Sequence, residues 1–573
     1  MRNIGEKIIS APAKPVNPEK IAGSSWSCPV QPAEQSLLSS PLLVVMTSAF
    51  AVVLPFVFLG NPSGHDFEFH VNSWMEVLNQ WKLGIIYPRW AALAHYGYGE
   101  ARFIFYPPAS WMLGAALGAI LPWKAVPAAY VWIVLTLSGC SMFLLARQWL
   151  NRRDALFAAA LYTANPYYIV IVYWRSAFAE LLAGALLPVL LLFVLRLDER
   201  GRRAIIPLGL IIAGAWLTNA PSAVMVNYSV ALLVVVIAIT RRSPRILLYG
   251  GAAVMLGVAL AAFYIFPAAY EAKWVNISEV LAPGVRPQDN FLFTSINDAD
   301  HNRFNLLVSL VAIAEIIVLA VATFLSRRWH HRSPMRWMLV AWAVAAALLM
   351  FSLTGPAWDH LPKLRFVQLP WRWLLCLNVA FALLVTIAFR RWRTRLVVCV
   401  VLLAMVTFCW HRIQPPWWDT AADINEMLDN QQEGAGYEGV DEYVPADADA
   451  SEIKQDAPPV TSEDGAKAQI HIQEWGPELK VFTANLRGPG KLLLRLFNYP
   501  AWKVQVDGCT VSTETQEITG QMIVPVGAGE NRVEIRLVRT RDRTLGTVIS
   551  AATVLLLAVA GLSRRRAGFR SLQ

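Results

Sequence analysis

Apolar residues in this chain come in long unbroken runs rather than at helix or strand period. The runs fall at 41–60, 107–121, 125–146, 155–174, 179–195, 204–217, 223–240, 246–266, 306–325, 337–353, 373–389, 396–410 and 545–562. A helix needs about 20 apolar residues to cross a hydrocarbon layer, so the pattern predicts about thirteen membrane spans. The connectors RLDERGRR (196–203), RRSPR (241–245), RRWHHR (327–332) and RRWRTR (390–395) are strongly basic. Basic loops mark the cytoplasmic side, so the loops alternating with them belong on the other side. The first third breaks this alternation: RQWLNRRD (147–154) is basic, yet counting from a cytoplasmic N-terminus places it outside. Two arrangements restore it. Either 107–121 is a short, half-inserted helix, or 155–174, interrupted at Asn165-Pro166, dips in and returns. Both leave the first loop non-cytoplasmic.

The polar stretches complete the expected organisation. Residues 1–40 read as a disordered cytoplasmic tail, and 41–410 as an all-α polytopic membrane domain whose first external loop is 61–106. An acidic, Gly/Pro-rich linker is expected over 411–465. The short alternating runs AQIHIQEW, ELKVFTANL, KLLLRLFNY, WKVQVDG, QMIVPV and NRVEIRLV follow, separated by turn signals. They predict a C-terminal non-cytoplasmic antiparallel β-sandwich over 466–541. A final transmembrane helix (545–562) and a basic cytoplasmic tail (563–573) close the chain, leaving both termini cytoplasmic.

Composition narrows the function classes. With 56% hydrophobic and 16% charged residues, the chain falls outside the range of soluble enzymes. The 23 tryptophans suit a bilayer interface. The net charge of +10 sits in the connectors between spans, so it reads as topology and not as nucleic-acid binding. Six scattered cysteines without a CxxC pair indicate neither a metal cluster nor a disulfide framework. No Walker loop, placed GxGxxG, GxSxG or HExxH is present.

The informative stretch is 64–108, GHDFEFHVNSWMEVLNQWKLGIIYPRWAALAHYGYGEARFIFYPP. It concentrates titratable groups just outside a span, where keeping them near hydrocarbon is costly and usually functional. On an extended backbone Asp66, Glu68 and His70 share a face; on a helix Asp66 and His70 do. This is a candidate carboxylate base, or a ligand set (Asp66, Glu68, His70) for a divalent cation such as Mg or Mn. The structural alternative is that Asp66 is only the N-cap of the next helix.

DFEFH, GIIYPRW, YGYG and FYPP in this loop resemble large bacterial membrane proteins of the GT-C type. With AELLA (179–183), TNAP (218–221), FPAAYE (266–271), VQLPWR (367–372), GYEGVDEY (436–443) and YPAWKVQVDG (499–508), the chain resembles the bacterial "6-pyruvoyl-tetrahydropterin synthase-related" membrane proteins and their YfhO-like relatives. The resemblance implies a GT-C-like membrane domain in the bacterial inner membrane. It further implies a glycosyltransferase that moves a sugar from a polyprenyl-phosphate-linked donor to an envelope acceptor (glycan, lipid or protein) at the outer face. Such enzymes carry an acidic residue in the first external loop; Asp66 matches it, within Asp66-Phe67-Glu68 rather than a plain Asp-x-Asp.

Sugar transfer needs a base for the acceptor hydroxyl and cations for the leaving phosphate, held together. Asp66 is the candidate base. Arg372, in QLPWRW at an outer span entrance, is the candidate phosphate ligand, against the reading that it is an interface anchor. Arg89 and Arg175 are further phosphate candidates, and Tyr96, Tyr98, Glu180 and Gln368 are candidate groove residues. Arg175 and Glu180 stand at i, i+5, poor helix geometry for a pair, so each is expected to face a different partner. Asp289, Asp298, Asp300, His301, Asp359 and His360 read as solvated loop, and Trp475, Tyr499 and Trp502 as β-domain core. The competing functions are a transporter without chemistry and a non-enzymatic envelope-assembly protein.

Overall fold

The computed structural model describes residues 40–328, 334–463 and 468–570. The expected tail at 1–39 and most of the RRWHHR connector lie outside the described residues. Among them, nine helical stretches are long and apolar enough to cross a membrane, and two bent pairs raise the number to eleven. The bends are at Ala261, between Arg245–Leu260 and Ala262–Trp274 (75°), and between Met335–Leu349 and Ser352–His360 (93°).

One stretch, Phe178–Thr218, folds back on itself. Gly201, at φ 54°, ends its first arm in a backbone conformation that glycine adopts at little cost. Leu186 then lies only 3.6 Å from where a Gly214 Cβ would sit, although the two are far apart in sequence. The stretch therefore counts as two crossings.

The run at 107–121 is not a span. Its helix, Pro108–Gly118, has 11 residues and packs on Phe67–Lys82. By contrast, Arg152–Arg175 forms one continuous candidate span, its break at Asn165-Pro166 bridged by the Asn165 side chain, which accepts from the Tyr168 N–H. This overturns the dip-and-return arrangement. With 107–121 removed, RQWLNRRD joins the other basic connectors on one face; Arg395 of RRWRTR pairs with its Asp154 at 2.6 Å.

Pro370–Ala388 is the central helix, with 94% of its apolar window buried, whereas Trp392–Ile413 (22%) and Arg541–Ala560 (17%) stand at the lipid-facing edge. Beyond the membrane lie two antiparallel sheets, one of four strands and one of five. Leu492, Leu494 and Val524 from the first share a buried cluster with Phe482, Val504, Val533 and Ile535 from the second. Tyr499 and Trp502 are buried there too.

The stretch read as a linker is built into the fold. Trp418–Asp419 pairs with Asn61–Pro62, and Ala421–Gln432 forms a helix with a Thr420/Asp423 capping box. Tyr437 donates to buried Glu76, and the Val440 N–H donates to buried Glu100 at 2.8 Å. Apolar and aromatic anchors within an acidic sequence make this a strap rather than a tether. The last helix runs Arg541–Arg570, past the expected end at 562.

Candidate functional site

The site is assembled where the first loop crosses the end of the Arg152–Arg175 span. That span finishes in a π-helical turn, Ile171–Arg175, and Ser176 reverses the chain at φ 51°. Ser176 Oγ donates to Pro62 O (2.8 Å) and accepts from the Gly64 N–H (3.0 Å), while the Asp66 N–H donates to Arg175 O (2.8 Å). The backbones approach so closely that a Cβ on Gly64 would lie 2.5 Å from the Arg175 carbonyl carbon. A glycine is required at this crossing.

Asp66 occupies the N-cap position of Phe67–Lys82 but makes no side-chain cap hydrogen bond. Its carboxylate instead lies 3.5 Å from Arg175 Nη2 and is 40% exposed. Arg175 pairs through Nη1 with Glu180, and Arg372 Nε lies 3.1 Å from the same carboxylate. Tyr167 OH donates to the other Glu180 oxygen at 2.5 Å. Arg372 Nη1 donates to Val367 O (2.7 Å) and Gln368 Oε1 (3.0 Å). Trp371 offers its ring face to Arg175 at 4.8 Å. The result is an alternating row, Asp66–Arg175–Glu180–Arg372–Gln368. Glu180 and Arg175 are buried in it, and Asp66 is its exposed end. Among the described residues, Arg372 Nη2 has no protein partner, which leaves one guanidinium donor for a ligand.

Arg175 and Glu180 thus meet each other, contrary to the expectation that they face apart. The i, i+5 objection holds only on one helix, and the π turn with left-handed Ser176 puts them on two.

Other expected members lie elsewhere. Glu68 is exposed and faces Asp419 and Glu438, because residues two apart on a helix point to opposite sides. His70 is enclosed by Phe69, Tyr106 and Phe178, and burial pushes it down to about 4. Asp66, Glu68 and His70 form no ligand set: no group of three His, Cys, Asp or Glu positioned for a metal occurs among the described residues. Arg89 lies over Tyr87 at 4.4 Å, within reach of the charges of Glu271 and Arg543. Tyr98 is buried against Phe497 with its OH donating to Lys454 O (2.9 Å), and the Tyr96 N–H donates to Tyr437 O (3.1 Å). The Tyr96 backbone and the Tyr98 side chain thus tie the loop to the strap, and Tyr98 also to Phe497 of the outer sheets. Among the loop acids, Asp289 pairs with Arg286, Asp298 caps Ala299–Leu325 and Asp300 pairs with Arg303.

Two further residues stand within reach of the site's charges. Tyr106 is raised by burial, and the charges of Asp66, Arg372 and Arg175 all act on it. Glu442, from the strap, is pushed up to about 7 by burial, and it also feels Asp66. Its motif GYEGVDEY was the only sequence signal, and nothing local tied it to residue 66.

A family model described as "6-pyruvoyl-tetrahydropterin synthase related domain; membrane protein" matches residues 103–415. No curated protein matches the sequence. Among solved structures, ArnT from Cupriavidus metallidurans bound to undecaprenyl phosphate aligns over 63% of this chain and 63% of its own, at 15% identity and a TM-score of 0.44. The Archaeoglobus fulgidus oligosaccharyltransferase aligns over 69% of this chain and 54% of its own (14% identity, TM-score 0.37). The arabinofuranosyltransferase AftD from Mycobacteria, as the R1389S mutant, aligns over 65% of this chain and 28% of its own (17% identity, TM-score 0.40). This chain therefore spans less than two thirds of each of these proteins.

Proposed function

Because the chain belongs to the 6-pyruvoyl-tetrahydropterin synthase related family of membrane proteins, and because its exposed carboxylate stands at the end of a buried arginine row, we propose that it is a membrane glycosyltransferase. The donor is a polyprenyl-phosphate-linked sugar and the acceptor is an envelope hydroxyl. In this reading the protein sits in a bacterial inner membrane with the Asp66 site at the outer face and the termini on the cytoplasmic side; the alternation of basic connectors supports that orientation.

The observation that carries this reading is the position of Asp66. Its side chain leaves the cap, stays 40% exposed, and is held 3.5 Å from Arg175 in the row that ends at Arg372. Asp66 takes the proton from the acceptor hydroxyl as its oxygen attacks the anomeric carbon. The bond from that carbon to the phosphate oxygen breaks, and polyprenyl phosphate leaves with the electron pair. Arg372 Nη2 meets the charge that develops on it. Glu180 keeps both guanidinium groups in place without reaching the substrate.

The test is transfer from labelled polyprenyl-phosphate sugars to envelope lipid and glycan extracts by the purified full-length protein. Transfer by the parent, with donor affinity reduced about 10- to 100-fold in Arg372→Gln, is expected. Absence of both transfer and donor binding in the parent contradicts the proposal and favours a transport or assembly role.

A further inference from the structure

The face opposite Asp66 carries a second basic device that the proposed reaction does not use. A cavity of about 750 Å³ opens between residues 151–154 and 390–395. Arg153, Arg390, Arg391, Arg393 and Arg395 line it, with Asp154 as the one carboxylate. Asp154 is occupied, 2.6 Å from Arg395. Among the described residues, none of Arg153, Arg390, Arg391 and Arg393 has an ion-pair partner.

Basic connectors orient a membrane protein by charge alone and need no shape for it. This one has shape. Arg395 is fixed as a wall: Nε donates to Phe389 O (2.7 Å), and Nη2 donates to Thr386 O (3.1 Å) and Asp154. Asn151 caps Arg152–Thr163 by accepting from the Asp154 N–H, so the positive end of that helix faces the same space.

The helix that starts at the cavity also carries exposed apolar residues. Trp392, at the cavity rim, is 69% exposed, and Leu396, Val397 and Val400 further along the same helix are 53%, 60% and 55% exposed. That helix is at the lipid-facing edge of the protein. A ligand spanning the cavity and this helix face is anionic at one end and hydrocarbon at the other.

We propose that this cavity is a binding site for an anionic phospholipid. Its headgroup phosphate is held by Arg153, Arg390, Arg391 and Arg393, and its acyl chains run down the exposed face of Trp392–Ile413. Basic pockets between cytoplasmic helix ends recognise such headgroups through charge-assisted contacts.

The experiment uses full-length protein in detergent, titrated with phosphatidylglycerol, phosphatidylcholine and inorganic phosphate and read by native mass spectrometry. Arg390→Gln/Arg391→Gln/Arg393→Gln is compared with Arg200→Gln/Arg202→Gln/Arg203→Gln, which removes the same charge from another basic connector. Phosphatidylglycerol is expected to bind at least tenfold more tightly than phosphatidylcholine, to the parent and to the control triple alike. The cavity triple should lose about 100-fold, and single Arg391→Gln, which perturbs folding least, about fivefold. Equal losses in both triples overturn the site as a built pocket. Displacement of the lipid by millimolar inorganic phosphate overturns the lipid in favour of a soluble anion.

Discussion

Replacing Glu180 with Gln tests whether the buried charge row is held by its central anion. In the parent, the Glu180 carboxylate takes Arg175 Nη1, Arg372 Nε at 3.1 Å and Tyr167 OH at 2.5 Å, and it is 1% exposed. Glutamine keeps the size but loses the charge, so two buried guanidinium groups lose their shared counterion. A hydrogen bond to a charged group contributes about 1.5–3 kcal/mol, and two are weakened here. Breaking a buried pair from one side costs about 3–5 kcal/mol, and the two estimates agree. Asp66 is the nearest remaining anion and is expected to close on Arg175, which removes it from substrate. The variant should therefore unfold about 3–5 kcal/mol more easily in detergent titration and lose transfer. Glu180→Gln/Arg372→Met should recover part of the stability and none of the transfer, since deleting both members of a buried pair costs less than orphaning one. A Glu180→Gln protein within about 1 kcal/mol of the parent, or a double variant showing the summed loss of the singles, would refute the reasoning.

Two further outcomes follow from the geometry. Gly64→Ala places a methyl 2.5 Å from the Arg175 backbone and should cost about 1–3 kcal/mol, as overpacking does, while lowering transfer by moving Asp66 off Arg175; unchanged kinetics would show that the crossing does not set the position of Asp66. Lys480 is buried against Trp502 at 4.7 Å, and burial pushes its ammonium down to about 7. Its folded-state value lies below the unfolded one, so between about pH 7 and 10 the unfolded chain binds more protons and stability rises with pH. Thermal melts across that window should show the rise in the parent and a flatter profile in Lys480→Met; parallel profiles would contradict the assignment.

Much of the membrane architecture was legible because a lipid-facing helix must be apolar along its length. The exception, 107–121, is apolar because it packs under the first loop, where the Trp74 ring lies so close to Gly114 that a Cβ there would come within 2.1 Å of it, and no periodicity separates that burial from a span. Asp66 was legible as a titratable group at a membrane boundary, and Arg372 and Gln368 as polar residues at a span entrance. The link between them was not. It depends on a π turn and one left-handed serine that bring Arg175 to Glu180, and neither has a compositional signature. The surroundings of Arg89 were not legible either: the loop curls so that it faces Tyr87 and feels the charges of Glu271 and Arg543. The strap was misread because acidic, Gly- and Pro-rich composition suggests solvation, while its anchors Tyr437 and Tyr443 find partners hundreds of residues upstream. Glu442 travels with them, which is why a second carboxylate near Asp66 could not be anticipated.

The central claim is that Asp66 removes a proton during sugar transfer. Asp66→Asn keeps the side-chain volume and the loop crossing, so donor binding should stay within a fewfold of the parent. Transfer of labelled sugar by the purified variant should fall by about 100- to 10,000-fold, the range a general base contributes. Transfer at the parental rate with intact donor binding would contradict the account.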